Sequence, residues 1–194
     1  MKKMIRFLLG VTLLIFFMTS CGQTNKNESL IYKDENVTFS YPKKWEKADK
    51  DIISAFRQQL EEQQNVYIGK LLELEIFVLE PSNYTMLVFD KANVSEILSM
   101  DSLLNQRKQT DNDALEAGYL TKLNTLELKK VNGISMLIED FNANTGNNNG
   151  RSYSMRTIVN SVIYEFTVAG LNNNDFITHK GYLDKIINSF DLNK

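Results

Sequence analysis

His179 is the only histidine in the chain, so any imidazole base, relay or metal ligand would have to be this residue. It stands three positions after Phe176 and four before Leu183, on or beside the apolar stripe of a C-terminal helix, where packed side chains are commoner than reactive ones. With no second histidine and no free thiol beside it, the usual nitrogen–sulfur zinc set is unsupported. No serine sits in a nucleophile-elbow phrase either. Oxygen ligands are better represented. In "DFNANTGNNNG" (140–150), Asp140, Asn142 and Asn144 match the first three ligand positions of a calcium loop. The match then breaks, with Thr145 in place of the sharp-turn glycine and Arg151 in place of the bidentate glutamate. A plain hairpin loop, rich in residues that tolerate positive φ, accounts for the same stretch and is preferred. Paired carboxylates occur at Glu61-Glu62, on the solvated side of a helix, and at Glu139-Asp140, at the end of a strand. Acid–base work would need burial and shifted pKa values, which neither pair advertises in sequence. No catalytic residue and no cofactor are therefore expected.

The single cysteine carries a sharper signal. Lys2, Lys3 and Arg6 precede an apolar run from Phe7 to Met18, interrupted only by Gly10 and Thr12. A basic start followed by an apolar region of this length reads as an export signal, and is too short for a span that needs ~20 residues. Thr19 and Ser20 then lead into Cys21. This phrase resembles the lipobox of bacterial lipoproteins, in which the cysteine is acylated and becomes the mature N-terminus; Met18 stands where leucine is commoner. The alternative is an ordinary signal peptide beside a free thiol. Lipidation explains an odd cysteine in an exported chain, and two or more acyl chains would anchor it stably. Residues 1–20 are then a removed leader, 21–29 the lipidated Cys21 with a polar tether, and 30–194 one domain. The partners expected are a bacterial membrane, reached through Cys21 on its extracytoplasmic face, and an envelope protein.

Without the leader, 174 residues remain, enough for one compact core. They hold 19 basic and 24 acidic residues, a formal charge of −5, which argues against nucleic acid and against a polybasic membrane patch. No second cysteine is available for a disulfide.

The polar stretch 22–29 reads as a tether with a coil reach of ~15 Å. "NVTFSYP" (36–42) alternates Val37, Phe39 and Tyr41 as a strand does, and Pro42 stops the ladder. Trp45 reads as a core anchor. Ile53, Phe56, Leu60, Tyr67 and Leu71 fall at the spacing of one helical face, and Gly69 points to a helix that stops near residue 65. Residues 66–80 remain open between helix and strand. A buried strand is expected at 85–91, and a helix from Ser95 to about 109, with "QTDNDALEAGY" either continuing it or forming an irregular connection. "VNG" (131–133) and Asn160-Ser161 mark hairpin turns between apolar strands. Phe176, Leu183, Ile186 and Phe190 line a closing helix. Hairpin after hairpin makes the sheet mostly antiparallel, and strands apolar on both faces require cover on both sides. The fold class is α+β: a mostly antiparallel sheet flanked by helices on both faces.

Two phrases carry a family resemblance. "FSYPKKW" (39–45) resembles the opening motif of the PsbP-like family, and "KIINSF" (185–190) its closing helix. "VNGISMLIEDF" and "VIYEFTVAG" resemble its central hairpins. The resemblance spans most of residues 30–192 and is poor over 46–81. It implies an α/β/α sandwich and no shared enzymatic activity. The expected function is a non-catalytic, membrane-anchored envelope lipoprotein that binds a protein or envelope component. The alternative is a small-molecule or ion carrier, or a weak hydrolase, with a pocket between sheet and helix.

Overall fold

A computed structural model describes residues 29–43, 45–64, 71–80, 85–94, 98–144, 149–170 and 173–193. Cys21 lies outside these residues with the leader and with residues 22–28 of the tether, as do Tyr67, Gly69, Ser95 and Thr145, whereas Ser29, expected in the tether, begins β1. The described chain runs β1 (Ser29–Lys33), β2 (Val37–Pro42), β3 (Glu46–Lys47), α1 (Lys50–Gln64), β4 (Leu71–Glu80), β5 (Thr85–Asn93), α2 (Met100–Glu116), β6 (Leu120–Val131), β7 (Ile134–Asn144), β8 (Asn149–Val159), β9 (Val162–Gly170), α3 (Asn173–Asn188) and β10 (Asp191–Leu192).

Seven strands form an antiparallel sheet in the order β3-β4-β5-β9-β8-β7-β6, and a smaller sheet has the order β1-β2-β10. The large sheet is apolar on both faces because its strands contribute to two separate cores. On one face Met136, Ile138, Tyr153, Met155, Tyr164 and Phe166 meet α3 and the small sheet. On the other, Leu74, Ile76, Val88, Leu137 and Ile163 meet Ile52, Ile53 and Phe56 of α1 and Leu103 and Leu104 of α2. The expected α+β sandwich is present. One outer layer, however, is shared between α3 and the second sheet. Among the described residues no helix is long and apolar enough to cross a membrane.

Two hairpins form where the turn residues predict them. Asn132 (φ 52) and Gly133 (φ 81) join β6 to β7, while Asn160 (φ 50) and Ser161 (φ 61) join β8 to β9. Positive φ at both central positions matches the right-handed twist of the strands. One open choice is resolved and some expectations change. Residues 71–80, open between helix and strand in the sequence, are strand, so Leu71 begins β4 and does not extend the face of α1: Leu74 and Ile76 turn to one core and Phe77 to the other, and a bulge between Leu71 and Glu73 breaks the period a reader would look for. The second helix begins at Met100, later than expected, and of the two alternatives for "QTDNDALEAGY" it takes the helical one, running on to Glu116. Ser99 caps it, its hydroxyl accepting the Ser102 N–H, and Arg107–Asp111 and Gln109–Asp113 pairs carry it through the polar stretch to Glu116. Finally, most of "DFNANTGNNNG" is strand. β7 runs to Asn144 and β8 begins at Asn149, because Phe141 and Asn142 pair with Ser152 and Arg151.

The opening and closing phrases meet. The Ser40 N–H donates to Ser189 Oγ at 2.9 Å, and Ser189 Oγ donates to the Ile186 carbonyl at 2.7 Å. Phe39 lies between Tyr32 (ring centroids 4.6 Å) and Phe190 (6.1 Å), with Phe166 edge-on at 5.0 Å. Burying one such ring stabilises by ~1.5–3 kcal/mol, so this contact fastens the small sheet to the large one.

Candidate functional site

Asp140, Asn142 and Asn144 alternate along β7 rather than curl into a loop. Arg151 of β8 forks onto the Asp140 carboxylate, Nε to Oδ1 at 3.0 Å and Nη2 to Oδ2 at 2.8 Å. The guanidinium also lies 4.7 Å from the centre of the Phe176 ring. Asn124 Nδ2 donates to Asp140 Oδ1 and to Asn142 Oδ1, and the Asn144 N–H donates to the Tyr119 carbonyl. Among the described residues no three His, Cys, Asp or Glu side chains are grouped to hold a metal ion. His179 sits on α3 with its ring 5.8 Å from that of Tyr182. Glu61 and Glu62 fall within α1, but their side chains lie outside the described residues.

Glu139, by contrast, is fully buried. Its carboxylate joins Arg107 of α2 to Arg156 of β8, an ion pair on each oxygen. Burial opposes its ionisation, but Arg156 and Arg107 outweigh that and hold it at about 2. Arg156 reaches on to Glu165 at 2.7 Å, and Glu165 stands opposite Asp90 in the β5–β9 ladder. Asp90 is raised well above the carboxylate range, first by burial and then by the Glu165 charge. Asp111, 2.9 Å from Arg107, is pushed up to about 7, chiefly by burial. The chain of charges threads α2, β7, β8, β9 and β5 together beneath the helical layer. Arg107, Glu139, Arg156 and Glu165 each have an opposite partner in it, the condition under which buried charges are tolerated, whereas Asp90 is joined to no cation among the described residues and is raised well toward its neutral form.

A second polar cluster lies on the opposite face, where the small sheet rests on β4 and β5. Asp34, in the turn after β1, accepts the N–H groups of Asn36 (2.8 Å) and Val37 (2.9 Å) on Oδ1. Its Oδ2 takes Lys91 Nζ at 2.9 Å and the Tyr164 hydroxyl at 2.9 Å. Burial works against the Asp34 charge, yet these donors, Lys91 first, hold it at about 2. The Tyr32 hydroxyl donates to Glu73 at 2.7 Å, and Lys91 bridges to Glu73 at 3.1 Å. Burial, then Glu73 and Asp34, drive the Tyr32 phenol far above its ordinary value, so it stays protonated.

Beside this cluster opens a cleft of about 160 Å³. Phe39, Phe77, Phe89 and Phe166 form its floor, and Tyr32, Tyr41 and Trp45 its walls. Lys47 and Glu75, joined at 2.8 Å, stand with Glu73 at the rim. Aromatic surface with polar groups at the edge suits contact with a ligand or a partner side chain. The cleft lies between the two sheets rather than between sheet and helix, although Ile186 of α3 closes one side. Asp34, Glu73 and Lys91 come from separate elements and form no local motif. Only the alternating aromatics of "FSYPKKW" announce this region in sequence.

No family model matches the chain, and no curated protein does. Solved structures do match it. The solution structure of cyanobacterial PsbP (CyanoP) from Synechocystis is 17% identical, covers 91% of this chain and 99% of its own, and superposes with a TM-score of 0.57. LpqN, involved in cell envelope biogenesis of Mycobacterium tuberculosis, is 8% identical, covers 86% of this chain and 91% of its own, and has a TM-score of 0.52. At such identities the likeness is one of architecture: this chain has a PsbP-like α+β fold.

Proposed function

We propose that the chain is a non-catalytic binding module of the bacterial envelope, exported by residues 1–20 and held on the extracytoplasmic face of a membrane by lipid on Cys21. Residues 30–194 are its single domain, and its partner is another envelope protein or envelope component. The observation that carries this reading is the position of the cysteine phrase: Cys21 falls eight residues before β1 of a PsbP-like fold. A module so placed meets membrane-bound partners on a short leash. The likeness to LpqN, itself tied to envelope biogenesis, is in keeping with that setting. The pairing of Glu73, Lys91, Asp34 and Tyr32 with one another also supports a contact surface over a proton-transfer site.

The test is intact mass and membrane partition of the native protein beside Cys21→Ala. A diacyl or triacyl mass that vanishes in the variant, together with release from the membrane, is the expected result. An unmodified soluble chain with a free thiol would defeat the anchor. Crosslinking and pulldown from native membranes then tests for the partner, and recovery of no specific partner would count against the binding role.

A second reading, a small-molecule carrier, is favoured by the aromatic cleft alone. A thermal-shift screen with metabolites and divalent ions distinguishes it, since a ligand at ~100 times its Kd stabilises by ~2.7 kcal/mol.

A further inference from the structure

The tether limits which side of the domain can face the bilayer. Eight residue steps separate Cys21 from Ser29, so the start of β1 lies within ~28 Å of the acylated residue even at full extension. As a coil the reach is ~15 Å, comparable with the ~15 Å radius of gyration of a domain this size. The three-stranded sheet that begins with β1 is therefore the part held nearest the membrane.

That sheet also carries apolar side chains that the fold leaves uncovered. Among the described residues the exposed large hydrophobics are Leu30 (41%), Ile31 (73%), Leu72 (42%), Ile177 (57%) and Leu192 (40%). Leu30 and Ile31 lie on β1 and Leu192 on β10 of the same sheet. Ile31 is the most exposed of them. It pairs with Ser40, on the face away from the core into which the next residue, Tyr32, and its partner Phe39 are packed. No acidic residue occurs in β1 or β2, whereas Asp191 lies across from Thr38 at the β10 edge.

Resting on the anchor reading above, we propose that the β1 edge of the small sheet docks on the lipid surface, with Ile31 in the interfacial region and the β10 edge turned to water. Depth is bounded by chemistry. β1 is an edge strand, and unpaired backbone N–H and C=O groups are not tolerated in hydrocarbon. The contact therefore stops at the hydrated headgroup layer, where an aliphatic side chain inserts but the strand stays wet. In this pose the aromatic cleft, whose wall includes Tyr32 of β1, opens close to the membrane.

The experiment uses the full-length acylated protein on phosphatidylglycerol–phosphatidylethanolamine vesicles. Cys21 is the only native cysteine and is blocked by acylation, so Ile31→Cys and Ile177→Cys each provide one thiol for an environment-sensitive fluorophore. The label at position 31 is expected to shift to the blue and to be quenched by a headgroup-level lipid quencher at least twofold more than the label at 177. Hydrogen exchange on the unsubstituted protein is expected to slow in β1 on vesicles and to stay unchanged in α3. If mass spectrometry finds no acyl chain on Cys21, the anchor falls and this orientation with it. If the protein is acylated and vesicle-bound but position 31 remains aqueous, or 177 is the quenched site, only the orientation is overturned.

Discussion

Asp90 and Glu165 stand directly opposite each other across β5 and β9, two carboxyl groups on one buried stripe with Arg156 joined to only the second. Burial and the Glu165 charge raise Asp90 well above its usual 3.8. The folded chain therefore keeps a proton that the unfolded chain releases near that value. Stability from Asp90 is complete below the unfolded value and is lost as pH rises toward the folded one. Asp90→Asn mimics the protonated form at every pH. Its melting temperature is expected to match the parent near pH 4 and to exceed it increasingly by pH 8, in melts followed by circular dichroism. A constant gap across that range would show that Asp90 is ionised in the fold.

Glu139 has the opposite sign. Arg156 and Arg107 hold it at about 2 against an ordinary 4.5, so its contribution is full above the unfolded value and is lost as pH falls toward 2. Glu139→Gln leaves Arg156 paired with Glu165 and Arg107 beside Asp111, whose carboxyl ionises more readily once the Glu139 charge that helps to raise it is gone. Removing one partner of a buried ion network costs ~3–5 kcal/mol, and these remaining pairs place the expected loss near the lower end. In urea unfolding at pH 7, the double variant Glu139→Gln/Arg156→Gln should be less destabilised than the sum of the two single changes. Strict additivity would mean that the two groups do not stabilise each other.

How much of this arrangement was legible depended on how local its causes are. The turns at Asn132-Gly133 and Asn160-Ser161 could be read from two residues each, because positive φ is a local demand. The sandwich could be read from strands such as Met136–Ile138, apolar on both faces. β4 could not, because its bulge beside Glu73 breaks the alternation. Nor could the charge network or the Asp34–Lys91–Tyr32 cluster, whose members are far apart in the chain and meet only through tertiary pairing. The aromatic cleft was half-announced by "FSYPKKW", yet its rim comes from β3 and β4, in the part of the chain where the resemblance was poorest.

Ser189 gives the motif contact a testable energy. Its hydroxyl accepts the Ser40 N–H of the central strand of the small sheet and donates to Ile186 at the end of α3. Ser189→Ala removes both bonds and leaves a half-buried N–H unmatched, at a cost of ~1–3 kcal/mol. The Ser40 amide should also exchange faster with deuterium than in the parent. An unchanged melt together with unchanged exchange would mean that this bond does not hold the two elements together.

Asp140 tests whether the calcium-like phrase binds anything. Its carboxylate already takes a two-point fork from Arg151, with the Asn124 amide on Oδ1. A cation would have to displace that guanidinium, and charge-assisted forks are among the stronger side-chain hydrogen bonds. Asp140→Asn should therefore destabilise by ~1–3 kcal/mol through loss of the fork. Millimolar calcium should leave the melting temperature of parent and variant alike unchanged. Calorimetric titration gives an independent readout: a calcium isotherm in the parent that disappears in Asp140→Asn would show that the ion outcompetes Arg151, making Asp140 a ligand rather than a strand cross-link.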